Sequence, residues 1–195
     1  VVTNTTVSAF SYENKQWQVA TQSTEPASNA VRMINADCVV VAASYQSRNF
    51  EQTTLYPVSP LRGQVSHLKS NQQSAALKQV VCSQRYIAPA DEEGLHCIGA
   101  SYIKNSEDTS LTEQEHLTNL ENLEPLSILL GFNRDETLQG RASIRGASLD
   151  YLPIAGEVAD PSQIDTEYGC ARHLSAYGHN AEIRMLPGLY ISTGH

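Results

Sequence analysis

The sequence lacks most of the features by which common binding sites are recognised. Its 195 residues include only 13 Lys and Arg against 21 Asp and Glu, which gives a net charge of −8. A broad basic face for nucleic acid is therefore not expected. No apolar run approaches the roughly 18 residues that span a bilayer. Neither glycine-rich phosphate-binding motif, G-x-G-x-x-G or G-x-x-x-x-G-K-[ST], occurs. A membrane span and a complete dinucleotide site are thus not predicted.

Motifs for metals and nucleophiles are missing as well. The four cysteines and six histidines include no C-x-x-C, H-x-x-x-H or H-E-x-x-H spacing, and there is no G-x-S-x-G elbow. We therefore expect no metal site, and no residue is singled out as catalytic. Cys38, Cys82 and Cys97 lie in or begin strand-type apolar runs, where a reduced thiol behaves as a small hydrophobe. Reduced cysteines, and no segment typical of a signal peptide, favour a cytoplasmic protein.

The first part of the chain is predicted to be rich in strands. Alternating apolar and polar residues indicate a β-meander over residues 1–45. The continuous apolar run 38–43 is typical of a strand that is covered on both faces, as in a parallel sheet. Residues 44–59 are predicted to cross over to a second unit. The meander is expected to contain strands at 5–12 and 16–21, with the turn between them at 13–15.

That second unit, residues 60–150, is predicted to hold an antiparallel sheet. Thr112 with Glu115 three positions on is a capping-box signature, so a helix is expected from there and is divided near Pro125. Another helix is expected over residues 161–180. The fold class is therefore α+β. Further strands are predicted at 63–68, 80–83, 86–88, 97–103, 141–147 and 188–192, with a hairpin turn at 91–94.

Two polar side chains, Tyr86 and Arg145, stand beside strand-type apolar runs and ahead of a Pro or Gly. A guanidinium group can bind a carboxylate through two parallel hydrogen bonds, and a tyrosine hydroxyl can add a third. The pair therefore predicts a small pocket for an anionic group. Taken singly, each residue has a more common role, since Arg145 could be a surface arginine on a strand edge and Tyr86 a half-buried strand tyrosine.

Several short segments follow one another in an informative order, at 6–7 with 17–19, 38–44, 56–64, 86–89 and 144–146 with 152–156. Their order resembles that of the FAD-dependent amine oxidoreductases, a family that includes glycine oxidase, sarcosine oxidase and D-amino acid oxidase. Three strings are more specific and resemble the C-terminal half of the bacterial bifunctional enzymes that make 5-methylaminomethyl-2-thiouridine in tRNA. These strings are 61–66 (LRGQVS), 96–102 (HCIGASY) and 106–109 (SEDT).

The resemblance implies an FAD-dependent amine oxidoreductase with a glycine oxidase-like fold. Residues 1–59 and 151–195 would belong to its FAD-binding α/β domain, and residues 60–150 to its antiparallel-sheet substrate domain. In this family the flavin half removes a carboxymethyl group from 5-carboxymethylaminomethyl-(2-thio)uridine at the tRNA wobble position. A methyltransferase half of the same polypeptide then uses S-adenosylmethionine. The implied partners are therefore tRNA and that methyltransferase domain.

The resemblance also implies roles for single residues. Arg145 and Tyr86 would orient the substrate carboxylate so that the adjacent C–H bond points at the flavin. Arg62 and Gln64 would lie near the substrate entrance. The residues expected along the cofactor are Val7, Ala42, Ala43 and Gly194.

The sequence departs from the family pattern at several positions. Ser44 stands where the family usually has Gly, and Gly146 follows Arg145 where the wider family has Pro. The glycine-rich fingerprint is absent before the meander, as is the flavin-wrapping loop after Gly194. We therefore expect a piece of a longer protein that binds FAD weakly or not at all. Two alternatives stay open, a stand-alone oxidase of small amines or amino acids and a non-catalytic binding module of the same fold.

Overall fold

The chain folds into two units in the computed structural model, which describes residues 1–25, 31–124, 126–132, 139–163 and 183–194. The first unit consists of Val1–Val58 together with Gly146–His195, and the second of Ser59–Arg145. The assignment of flavin-binding and substrate-binding roles to the predicted domains stays a prediction. The strands are β1 (Thr5–Glu13), β2 (Gln16–Ser23), β3 (Val31–Ala36), β4 (Val39–Val41), β5 (Val58–Lys69), β6 (Val81–Cys82), β7 (Tyr86–Ile87), β8 (Leu95–Gly99), β9 (Ile103–Lys104), β10 (Gln139–Ser148), β11 (Ile154–Ala159) and β12 (Met185–Thr193). The α-helices are α1 (Glu113–Glu121), α2 (Leu126–Leu129) and α3 (Pro161–Gln163).

The predicted meander is confirmed as an antiparallel sheet of order β1-β2-β3. Asn14 and Lys15 connect β1 to β2 with φ angles of 51° and 65°. Two consecutive residues in this left-handed region form the two-residue turn whose twist matches that of the flanking strands. Phe10 and Trp17 turn inward from these strands, 5% and 1% exposed, with their ring centroids 5.6 Å apart.

The first unit contains a second sheet of order β11-β12-β4, in which β12 and β4 run parallel. The parallel strand predicted at 38–43 is thus confirmed. Its inward residue Val41 packs with Leu189 and Ile191 in the same core as Phe10 and Trp17. The prediction that both faces are covered is wrong, because the side chain of Val40 points outward and is 59% exposed. Cys38 is likewise exposed rather than packed in the core.

The second unit is a sheet of order β10-β5-β8-β7-β6, with β9 pairing to β5. Leu68, Ile87 and Ile98 lie on one face and form a core with Leu120 and Leu123. Because side chains alternate along a strand, this one face carries the apolar contacts with α1, and the neighbouring residues point to the opposite face. Cys82, on the short strand β6, is exposed.

The single strand predicted at 97–103 is wrong, because β8 ends at Gly99 and β9 begins at Ile103. Ser101, in the interval, still donates its N–H to the Gln64 carbonyl at 3.1 Å, but it turns its hydroxyl inward. That hydroxyl donates to Glu115 Oε1 at 2.5 Å and accepts the Gln64 N–H at 2.9 Å. These contacts with residues far away in the sequence determine where the strand stops.

The helix predicted from Thr112 is confirmed. The Thr112 hydroxyl accepts the Glu115 N–H at 3.3 Å, as a capping threonine does. The helical chain stops at Glu121 and resumes at Leu126, while Pro125 itself lies outside the described residues. Of the helix predicted at 161–180, only the three residues of α3 belong to the described residues, and the rest lies outside them. Within the part of the chain that the structure describes, no helix is both long and apolar enough to cross a membrane.

Candidate functional site

The face of the second-unit sheet that points away from α1 carries both residues of the predicted anion pocket. Tyr86 pairs with Gly99 across β7 and β8, and Cys97 lies two residues from Gly99, so Tyr86 and Cys97 share this face. Arg145, on β10, is exposed. Tyr86, Cys97 and Arg145, together with three neighbouring residues, form what we call the arginine–tyrosine cluster. Its members are Arg85, Tyr86, Cys97, Tyr102, Arg141 and Arg145.

Tyr86 is half-buried within the cluster, with its hydroxyl oxygen 3.8 Å from Cys97 Sγ. Burial of the phenol is the largest of the effects that raise the pKa of Tyr86 to about 12. The hydrogen bond and charge interaction with Cys97, and the nearby Tyr102, also raise this pKa, whereas Arg141 lowers it. The hydroxyl therefore keeps its proton at neutral pH. It can donate a hydrogen bond to an anionic ligand.

Tyr102 connects Arg145 to the rest of the cluster. The Arg145 Cζ atom lies 5.5 Å from the centroid of the Tyr102 ring, and Arg85 Cζ lies 5.7 Å from the same centroid. Both distances are within the range of a cation–π interaction. The Tyr102 side chain is 56% exposed and Arg145 is exposed, so the ring and the Arg145 side chain are accessible from the open face, whereas Arg85 is half-buried. The structure thus brings Tyr86 and Arg145 to one cluster, arranged around Tyr102.

Arg62 and Gln64, predicted at the substrate entrance, point to the opposite face of the sheet, toward α1. Arg62 is 2% exposed and Gln64 is fully buried. Arg62 Nε donates to the Asp108 carbonyl at 2.5 Å, and its terminal nitrogens donate to Glu115 Oε1, the Ser110 carbonyl and, at 3.2 Å, Gln64 Oε1. All three guanidinium nitrogens are thus used within the protein, which favours a structural role.

Gln64 and Glu115 complete this buried polar network. The Gln64 side-chain amide donates to the Thr112 carbonyl at 2.8 Å, and its oxygen accepts the Thr112 N–H at 2.9 Å. Burial opposes ionisation of Glu115, but hydrogen bonds from Ser101, Thr112 and Arg62 hold its pKa below the ordinary value. The network therefore contains an ion pair whose polar atoms are satisfied, and it joins β5 to the start of α1. A role for Arg62 and Gln64 in substrate entry stays a prediction without geometric support.

The four predicted cofactor residues fall in two places of the first unit. Ala42 and Ala43 follow the carboxyl end of β4, and Gly194 follows the carboxyl end of the neighbouring parallel strand β12. In open α/β sheets this edge is where ligands bind. Val7 lies elsewhere, on β1, where it is 39% exposed and lines a groove of about 560 Å³ on the meander.

The two departures from the family pattern, Ser44 and Gly146, are hydrogen-bonded to each other. Ser44 Oγ accepts the Gly146 N–H at 2.6 Å, a bond that proline in the latter position could not make. Ser44 has a φ of 55°, in the left-handed region where Gly is favoured. A Cβ at Gly146 would lie 2.7 Å from the Tyr45 backbone nitrogen. The two positions are therefore physically coupled.

Sequence reasoning did not single out Arg85, Arg141 or Tyr102 as site residues. Arg141 could have been found, because it lies four positions before Arg145 on a strand and alternation places both on one face. Tyr102 lies between β8 and β9, where no periodicity predicts its direction. Among the described residues, no group of three or more His, Cys, Asp or Glu side chains could hold a metal ion.

No protein-family model matches the chain, but curated proteins and solved structures do. The chain is 37% identical over 186 residues to the tRNA 5-methylaminomethyl-2-thiouridine biosynthesis bifunctional protein MnmC of Pseudomonas savastanoi pv. phaseolicola, covering 92% of this chain and 27% of that protein. It is 35% identical over 169 residues to the MnmC of Stutzerimonas stutzeri, covering 84% of this chain and 26% of that protein. The chain matches part of MnmC. It spans about a quarter of the length of these curated relatives, and the resemblance predicted from the sequence is confirmed.

The solved structures that match are oxidoreductases. Glycine oxidase from Bacillus cereus superimposes with a TM-score of 0.67 at 20% identity, covering 98% of this chain and 43% of that chain. L-proline dehydrogenase from P. horikoshii gives a TM-score of 0.65 at 15% identity, covering 97% and 44%. The predicted α+β, glycine oxidase-like fold is therefore confirmed.

Proposed function

We propose that this chain is part of the oxidoreductase half of a bifunctional tRNA-modifying enzyme. In this proposal the enzyme uses FAD to remove the carboxymethyl group from 5-carboxymethylaminomethyl-(2-thio)uridine at the wobble position. A separate methyltransferase domain of the same cytoplasmic polypeptide then acts with S-adenosylmethionine. The 35–37% identity to two MnmC proteins supports this class of reaction.

The first unit offers a place that fits the cofactor. At the carboxyl edge of the parallel strands Ala42 is exposed and Ala43 half-buried, and both have small side chains, so a nucleotide could approach the backbone closely there. Gly194 has a φ of 78°, which favours glycine. These residues, with Val7 on the meander, would hold FAD. When bound, FAD would accept a hydride from the carbon beside the substrate amine, and water would hydrolyse the resulting imine to glyoxylate and the aminomethyl base.

The arginine–tyrosine cluster is the observation that carries the proposal. The group to be removed ends in a carboxylate, and Arg145 can bind a carboxylate through two hydrogen bonds while Tyr86 donates a third. Tyr102 lies against the Arg145 guanidinium, which limits the positions this group can take. Orientation of the substrate is the contribution that a protein makes when the cofactor supplies the redox chemistry.

The test is anaerobic reduction of the flavin in the complete natural polypeptide. We expect tRNA carrying carboxymethylaminomethyl-uridine to bleach the flavin absorbance band. Arg145→Ala should retain the flavin yet lower kcat/KM about 100-fold, because the carboxylate loses its bidentate partner. Arg48→Ala is the matched control, since Arg48 is an exposed arginine of the first unit.

Three outcomes would contradict the proposal. Unchanged turnover in Arg145→Ala would rule out the carboxylate pocket. Bleaching by glycine-like or sarcosine-like amines alone would instead support a stand-alone amine oxidase. A complete polypeptide that takes up no FAD would support a non-catalytic binding module.

A further inference from the structure

The arginine–tyrosine cluster contains more positive charge than one carboxylate needs. Arg145 and Tyr86 together can supply three hydrogen bonds, which is enough to hold a single carboxylate group. Arg85 and Arg141 remain, and the Arg85 guanidinium lies against the same Tyr102 ring. The whole chain has a net charge of −8, so this local concentration of arginine runs against the average character of the protein.

The Arg85 side chain has an unused donor. Its Nη1 donates to the Gln84 carbonyl at 3.2 Å, whereas its Nε is buried and meets no hydrogen-bond acceptor within the described part of the chain. A buried donor on a charged group that lacks a partner is unfavourable, and buried polar groups in proteins are nearly always paired. A ligand on the open face can reach this nitrogen only if the Arg85 side chain moves, and an anionic ligand would then supply the missing acceptor.

The two guanidinium groups lie against the same aromatic ring. Both Cζ atoms lie within 5.7 Å of one ring centroid, so they are no more than about 11 Å apart. A ligand that bridges them must carry two anionic groups that lie no farther apart than that. A glycine-like or sarcosine-like amine has one carboxylate and nothing further to place at Arg85. A nucleotide with a carboxylate on its base has a second anion, the phosphodiester of its own backbone.

We propose that Arg85 binds a backbone phosphate of the nucleic-acid strand whose modified base is held by Arg145 and Tyr86. This inference rests on the proposed function and adds a binding site to it. Arg85 is then the residue that favours a nucleic-acid substrate over a free amine. Arg binds phosphate well because its planar group presents paired donors.

The test compares two substrates in the complete natural polypeptide with its flavin. One is tRNA carrying carboxymethylaminomethyl-uridine, and the other is the same modified nucleoside without any phosphate. For Arg85→Gln we expect the KM for tRNA to rise about tenfold and the slope of log KM against log salt to fall by about one, as for loss of one phosphate contact. The KM for the nucleoside should stay within twofold.

Two further variants separate the loss of a phosphate contact from a general loss of positive charge. Arg85→Lys keeps the charge and should restore most of the tRNA affinity and the salt slope. Arg48→Gln removes the same charge from an exposed arginine of the first unit and should change neither. If Arg85→Gln raises the nucleoside KM as much as the tRNA KM, or changes neither, the phosphate site is ruled out. A wild-type protein that oxidises neither substrate overturns the proposed function, and this inference with it.

Discussion

The second unit holds two sets of polar side chains, one on each face of its sheet, and they differ in how their donors are used. On the covered face every guanidinium nitrogen of Arg62 has an acceptor inside the protein. On the open face, Arg85 and Arg145 lie against Tyr102, and the Nε of Arg85 has no acceptor among the described residues.

This difference separates residues that hold the fold from residues that can hold a ligand. An arginine whose donors are all satisfied internally would lose those bonds on binding substrate, so it has little to gain from a ligand. An exposed arginine such as Arg145 exchanges mainly water for an anion. Residue type alone does not distinguish the two, since Arg62 and Arg145 were both predicted to meet the substrate.

The largest effect is expected when the covered set is broken. Arg62→Ala leaves the Glu115 carboxylate buried without its cation and should lower the free energy of unfolding by about 3–5 kcal/mol. Arg141→Ala, on the open face, should change it by less than about 0.5 kcal/mol. Urea-induced unfolding of the two variants measures both. If Arg62→Ala is instead stable and has a raised KM for the substrate, Arg62 acts at the substrate entrance and not in holding the fold.

Local patterns accounted for much of the fold. Strand alternation located the meander, the Thr112 capping box located the start of α1, and the apolar run at 38–43 located a parallel strand. These features depend on neighbours in sequence, so one sequence suffices to predict them. The end of β8 could not be predicted because it is determined by Ser101 contacting Glu115 and Gln64.

The candidate site was predictable only in part, for the same physical reason. Tyr86 and Arg145 were identified from their chemistry and from a family resemblance. The ring that connects Arg145 to Arg85, Tyr102, lies between strands, where its position depends on the folded chain. The sequence also does not predict which face of the sheet Arg62 occupies. Alternation separates the residues of a strand into two faces, but it does not say which face α1 covers.

An effect of intermediate size is expected at Ser44, in the first unit, where another donor is satisfied internally. Ser44→Ala removes the acceptor of the Gly146 N–H and should lower the free energy of unfolding by about 1–3 kcal/mol. Ser44→Gly removes the same acceptor but relieves the left-handed backbone, so its loss should be smaller by about 1 kcal/mol. Equal losses in urea-induced unfolding would show that the hydrogen bond, and not the backbone, accounts for the serine.

The smallest effect concerns the pH dependence of the covered face. His116 is 8% exposed and hydrogen-bonded through Nδ1 to Ser66 Oγ at 2.7 Å. Burial lowers the pKa of His116 below 6.5, and the charge of His67 lowers it further. The charges of Glu115 and Glu113 raise this pKa but do not outweigh the burial. Below pH 6.5 the unfolded chain therefore binds a proton that the folded chain does not, and stability falls as the pH falls from 6.5 toward the folded pKa.

The variant that tests this is His116→Gln, which has no titrating group and can still bond to Ser66. Its free energy of unfolding should change less between pH 7 and pH 5.5 than that of the wild type. Tyr86→Phe is the comparison on the open face, since the Tyr86 hydroxyl keeps its proton throughout this range and the variant should follow the wild-type curve. If His116→Gln also follows the wild-type curve, protonation of His116 does not limit the stability of the covered face, and the acid-sensitive group must be sought among its carboxylates.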